Sequence, residues 1–413
     1  MKNVLFICES YKYNASPNGL CTGYVAEALY KKGYNVTVIT FFNGKNQPEY
    51  ESVNGVNVYR VDPGYIWRNI YLNEKQSTPN ERKKYIRTLK LSQINGLLHA
   101  FCYPLLSQAQ VRNMYKKAIE LYKEKKFDYV ISAYHKIPDV LAGIKLKKKY
   151  PNIKLAIHSL DAISGGWVPN VLRSRKIPMN SLKRWERYFF KNIDKLFAME
   201  SHRSYYQKKE YEKYSNKIEF LDIPLLKPRS YKIEKHRSEK HMVYTGSMQK
   251  ATANPQYLLK LIEYLPDVIV DFYGSMADDI KALIENHELY NKRLLIHGRV
   301  SHDEILKIQE NADVLLNFGN ANPNMIPCKI FEYMSAKKKI ISFTHSELDS
   351  SLPYINKYPL GIIITEDDSL ISENAKKITA FINEDEDDID ENILKQMFEK
   401  NTPEYFEKQM ILL

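Results

Sequence analysis

The chain has 413 residues, 44% of them apolar, and a formal net charge of +12. That length is too great for one ordinary hydrophobic core, so two domains of about 200 residues each are expected. No uninterrupted apolar run approaches the ~20 residues that span a bilayer, so any membrane contact is peripheral. The four cysteines (Cys8, Cys21, Cys102, Cys328) stand at no metal-ligand spacing. Together with a start that runs directly from Met1-Lys2-Asn3 into an apolar strand, without a signal-peptide pattern, they point to the reducing cytoplasm.

Charge is unevenly distributed. Residues 1–240 hold 44 Lys and Arg against 21 Asp and Glu, a surplus of +23, whereas residues 241–413 hold 17 against 28, or −11. A basic half suits an anionic membrane, a nucleic acid or a phosphorylated acceptor. Trp67, Tyr71 and Tyr85 flank the run Arg82-Lys83-Lys84, and this mixture favours the membrane surface. The apolar stretch 97–106 serves either that surface or a core helix. Motifs of nucleic-acid binding are absent, so no nucleic-acid partner is expected.

In chain order, strand-like runs fall at 4–8, 36–40, 56–60, 129–132, 154–158, 195–199 and 218–221, with helical patterns between most of them, as at 22–32 and 138–149. After the proline- and charge-rich stretch 224–240, strand-like runs resume at 241–245, 268–273, 294–297, 314–318, 340–343 and 361–364. Alternation of this kind predicts parallel sheets covered on both faces, hence two doubly wound domains. The expected division is 1–230 and 231–390, followed by a terminal segment 391–413 with a helix start and an apolar end.

Ligands of doubly wound sheets sit beyond the carboxyl ends of the strands, so the loops there carry the candidates. After the first strand the Gly-x-Gly-x-x-Gly fingerprint is absent, against a nicotinamide or flavin enzyme, and Gly19 opens the first helix. His158 ends the strand 154–158, where an imidazole can bond a sugar hydroxyl. In the second half come Gly246-Ser247 with Lys250 after 241–245, Gly274 after 268–273, and Arg299-Val300 after 294–297. The segment 314–342 reads as buried strand, polar loop, short helix over 328–336, and buried strand. Its helix start, at Ile326-Pro327-Cys328, is expected to offer free N–H groups to an anion. Lys329 in the first turn adds positive charge, and Glu332 one turn on faces the same way and can accept hydrogen bonds from a diol.

The run Ile326-Pro327-Cys328-Lys329-Ile330-Phe331-Glu332-Tyr333-Met334 resembles the Pro-Ser-Lys-x-Phe-Glu-Tyr-Met segment of retaining, GT-B-fold glycosyltransferases of family 4, particularly those of bacterial surface polysaccharides. The resemblance implies two Rossmann-like domains facing a cleft, with 391–413 crossing back to the first domain. It also implies transfer of a sugar from a UDP- or GDP-sugar to a lipid-linked or growing oligosaccharide, with a nucleotide-sugar 2-epimerase on the same fold and a catalytically weak or inactive nucleotide-binding subunit as the alternatives. Neither a metal nor a separate cofactor is implied. In that family two glutamates eight positions apart frame the site. Glu332 matches the one that holds the ribose, and the other position is Asn324. The resemblance gives Lys250, Lys329, Asn324 and His158 to the reacting sugar and its leaving phosphate. It gives Gly19, Gly246, Ser247, Gly274, Arg299, Val300 and 326–328 to the nucleotide. Lys337 and Lys339 stand where the family has Gly and Pro.

Overall fold

The computed structural model describes all residues except 14, 74–77, 103–107, 135–136, 165–175, 230–238, 320–325, 385–388 and 412. The chain divides into two compact units, Met1–Pro224 with Pro403–Leu413, and Leu225–Thr402. The first boundary thus falls at Leu225 rather than 231, and the second unit runs to Thr402 rather than 390.

The first unit is built on strands β1 (Asn3–Ile7), β2 (Asn35–Phe41), β3 (Tyr50–Val53), β4 (Val56–Val61), β5 (Tyr129–Tyr134), β6 (Lys154–Ser159), β7 (Lys195–Met199) and β8 (Ile218–Leu221). They form one sheet in the order β3-β4-β2-β1-β5-β6-β7-β8. All pairs are parallel except β3 with β4. The central strands are buried along almost their whole length because helices cover both faces, as continuous apolar runs require. The helix Pro403–Met410 belongs to this unit and places Phe406 and Met410 in the same cluster as Val4, Val25 and Leu29.

The second unit carries β9 (Lys240–Thr245), β10 (Val268–Tyr273), β11 (Leu294–Gly298), β12 (Val314–Phe318), β13 (Lys339–Thr344) and β14 (Gly361–Thr365). Their order is β11-β10-β9-β12-β13-β14, wholly parallel. The direction of winding reverses between β9 and β12, and the crevice beyond the carboxyl ends of such a pair is where doubly wound sheets take ligands. In this sheet that crevice lies beyond Thr245 and Phe318.

The short helix expected over 328–336 spans Lys329–Ser335, with Cys328 as its cap. Its first amides are already engaged: Ile330 N donates to Pro327 O at 3.2 Å and Phe331 N to Cys328 O at 3.3 Å. The free donor row expected there is therefore short, because a tight turn precedes the helix and uses part of it. Lys337, just past the helix, has φ of 51°, the left-handed conformation that a glycine adopts at little cost. Of the stretch 97–106, the backbone is helical as far as Cys102 within the helix Pro79–Cys102, and the rest lies outside the described residues. Among the described residues no helix is long and apolar enough to cross a membrane.

Candidate functional site

Three glycines close the carboxyl ends of β9, β10 and β11. Gly246 N donates to Tyr273 O at 2.9 Å and Gly274 N to Gly298 O at 2.7 Å, so the ladder runs one step past the sheet. Gly274 has φ of 128°, and a Cβ there would sit 1.9 Å from the carbonyl oxygen of Gly246. Gly246, at φ 140°, is exposed, and Ser247 beside it is fastened twice. Its carbonyl accepts from Tyr244 Oη at 2.7 Å, and its hydroxyl meets that of Ser275 at 2.8 Å. Lys250 is exposed and makes no hydrogen bond or ion pair among the described residues. Arg299 and Val300, also exposed, follow Gly298 and precede a helix at His302–Asn311 capped by Ser301.

The helix Lys329–Ser335 is locked onto β9 from beneath. Thr245 N donates to Tyr333 Oη at 3.0 Å, and Gln309 Nε2, fully buried, donates to Thr245 Oγ1 at 3.1 Å. Arg229 ties this helix to the one at His302–Asn311, donating to the Glu332 carbonyl at 3.1 Å and to Gln309 Oε1 at 3.3 Å. These bonds fix where the outward residues of the first turn stand. The Lys329 ammonium lies 3.7 Å from the centre of the Tyr244 ring and 3.8 Å from where a Cβ on Gly246 would be. The residue keeps partial exposure, yet packing around the ammonium pushes its pKa down to about 7. One turn on, Glu332 is 7% exposed and Oε1 accepts from His302 Nε2 at 2.7 Å. No hydrogen bond from the described residues reaches Oε2.

The second unit thus brings Gly246, Ser247, Gly274, Lys329 and Glu332 to one end of the sheet, with Ile326 buried and Pro327 and Cys328 half-buried at the start of the helix. Asn324 lies outside the described residues. Sequence reasoning missed His302 and Arg229; the only signal for His302 was its place at the start of a helix next to the candidate turn Arg299-Val300. In the first unit Gly19 sits inside the helix Pro17–Lys31, where a Cβ would meet Ser10 O at 2.5 Å. Close packing of that helix on the β1 loop accounts for the glycine there. His158, on β6, is 2% exposed, its ring centroid 4.9 Å from that of Phe406. Its Nε2 has no hydrogen-bond partner, and burial pushes its pKa down to about 4, so the ring is neutral at neutral pH. Among the described residues no group of three or more His, Cys, Asp or Glu is arranged to hold a metal ion.

No protein-family model matches the chain, and no curated protein matches it in sequence. Solved structures do match its backbone. Sucrose-phosphate synthase from Thermosynechococcus elongatus is similar with a TM-score of 0.59 at 12% identity, over 99% of this chain and 94% of that one. Anabaena HepE, solved with UDP and glucose, is similar at 0.58 and 11%, over 100% of both chains. The UDP-GlcNAc 2-epimerase of Methanocaldococcus jannaschii is similar at 0.54 and 13%, again over 100% of both. At such identities the likeness shows the fold: an α/β chain of two Rossmann-like units, the GT-B class.

Proposed function

We propose that this chain is a glycosyltransferase whose second unit binds a nucleotide-diphosphate sugar, UDP or GDP being the carrier. The observation that carries the reading is the pairing of Lys329 and Glu332 in one helical turn at the switch between β9 and β12, a cation and a carboxylate set for a diphosphate and a ribose diol. Several of the structurally similar proteins act on or bind UDP or UDP-sugars by name, which supports it.

Departure of the diphosphate breaks the bond from the sugar's anomeric carbon to oxygen and leaves negative charge on the β-phosphate. Lys329 stabilises that charge, with Lys250 as the second cation. The acceptor hydroxyl forms the new bond on the same face and gives its proton to the leaving phosphate, so the anomeric configuration is retained and neither a carboxylate base nor a metal is required. Gly246, Ser247 and Gly274 approach the phosphates through backbone, Arg299 and Val300 stand by the base, and Asn324 serves the sugar, whereas His158, buried against Phe406, is left to the packing of the first unit.

The acceptor in this reading is a lipid-linked or growing oligosaccharide of a surface polysaccharide, met in the cytoplasm at the membrane face. Lys83, Lys84 and Arg87, which line one depression with Tyr65, Thr88 and Leu91, supply a basic surface with apolar neighbours for that contact. A second reading, nucleotide-sugar 2-epimerase, draws on the similarity to the archaeal epimerase. Incubating UDP-GlcNAc without acceptor separates them, since only an epimerase yields the C2 epimer.

The test of the donor site is thermal denaturation with UDP, GDP, ADP and CMP. Ligand at about 100 times its dissociation constant adds roughly 2.7 kcal/mol of stability, an increment that Glu332→Ala is expected to remove. A chain that no nucleotide stabilises overturns the reading.

A further inference from the structure

We infer that His302 is a positioning residue for Glu332 and sets how strongly the site prefers a ribose to a deoxyribose; the inference rests on the donor-site reading above. A carboxylate oxygen offers only lone pairs, so at 2.7 Å it is His302 Nε2 that carries the proton and donates to Oε1. This single bond decides how the carboxylate is turned. The main chain of Glu332 is already held, through its carbonyl, by Arg229. The remaining freedom is that of the side chain's own rotations, which a free carboxylate would lose on binding a diol. With Oε1 tied, Oε2 stands ready in one orientation, and no hydrogen bond from the described residues competes for it.

The support for His302 is independent of its ring. Ser301 caps the helix His302–Asn311 through a reciprocal pair with Glu304, so the backbone at 302 keeps its place whatever side chain it bears. The His302 side chain is 28% exposed, so replacing it opens no core cavity. A glutamine places an amide N–H near the position of Nε2; an asparagine, one carbon shorter, does not reach, and phenylalanine keeps the ring but has no donor.

The experiment measures dissociation constants of the full chain for UDP and 2′-deoxy-UDP, and for GDP and 2′-deoxy-GDP, in wild type and in His302→Gln, His302→Asn and His302→Phe. Wild type is expected to prefer the ribonucleotide by about tenfold or more, the scale of a hydrogen bond to a charged group. His302→Gln is expected to keep most of that ratio, and His302→Asn and His302→Phe to lose it. A ratio that stays at the wild-type value in the asparagine and phenylalanine variants overturns the inference, even if both affinities fall together, since a merely structural residue weakens both ligands alike. Should the phenylalanine variant not fold, the glutamine and asparagine pair decides alone. If wild type binds none of the four nucleotides, the donor-site reading itself falls, an outcome distinct from an unchanged ratio.

Discussion

At the scale of single residues, Lys329 shows how one side chain couples stability, pH and binding. Its pKa of about 7 in the folded chain lies well below the 10.5 of an exposed lysine. Between those values the unfolded chain holds the more protons, so this group makes folding more favourable as pH rises from 7 toward 10.5 and least favourable below 7. Lys329→Met, which removes the buried charge, is therefore expected to melt higher than wild type at pH 6 and to lose that advantage by pH 10. A difference that does not change with pH would exclude the account. A diphosphate placed on the ammonium restores its proton, so binding above pH 7 is expected to take up close to one proton. Isothermal titration at pH 8.5 in buffers of different ionisation heat reads this uptake, and in Lys329→Met it should vanish. The placement of Lys329 and Glu332 in one turn of a short helix was legible in the sequence because it depends on local spacing. The lowered pKa was not, since the Tyr244 ring that covers the ammonium comes from a strand 85 positions earlier. His302 was hidden for the same reason, as its partner lies 30 residues away.

At the scale of elements, what the sequence made plain and what it concealed follow from burial. Parallel strands covered on both faces are apolar-rich and buried along their length, as in β1, β5, β12 and β13, which made them plain; β4 (Val-Asn-Val-Tyr-Arg-Val), β8, β11 and β14 are only partly buried and were visible all the same. The strand β3, Tyr50–Val53, pairs antiparallel at the sheet edge and carries the mixed residues Tyr-Glu-Ser-Val. Only its pairing with β4 identifies it. The helix Lys329–Ser335 was placed within a residue at either end, but the engagement of its first amides was not, because hydrogen bonds inside a turn leave no mark on composition. Its exit was flagged by Lys337 in the place of a glycine. At φ 51° a lysine there bears a left-handed backbone that costs about 1–2 kcal/mol, of which the greater unfolded freedom of glycine returns a part. Lys337→Gly is thus expected to stabilise the second unit by about 1 kcal/mol and to raise its melting temperature by roughly 2–4 °C. Nucleotide affinity should not change, and a fall in melting temperature would contradict the strain.

At the scale of the whole molecule, the side chains assigned to the diphosphate and the ribose (Lys250, Lys329, Glu332 and His302) all belong to the unit Leu225–Thr402. That unit expressed alone is expected to fold and to bind the same nucleotide within about threefold of the full chain, roughly 0.7 kcal/mol, while transferring no sugar. Loss of binding in a folded fragment would show that the first unit contributes to donor recognition. The division was readable from two series of strands on either side of a proline-rich stretch. The return of residues 403–413 to the first unit came only from a family resemblance, since nothing in a short amphipathic segment says which core it will join. That return has a consequence for how the protein is made. Phe406 and Met410 complete a cluster whose other members precede residue 222, so the ribosome must add the 178 residues of Leu225–Thr402 before the missing side chains exist. At about 5–20 residues per second this takes roughly ten to thirty-five seconds. During translation the unit that starts first is the one that finishes last.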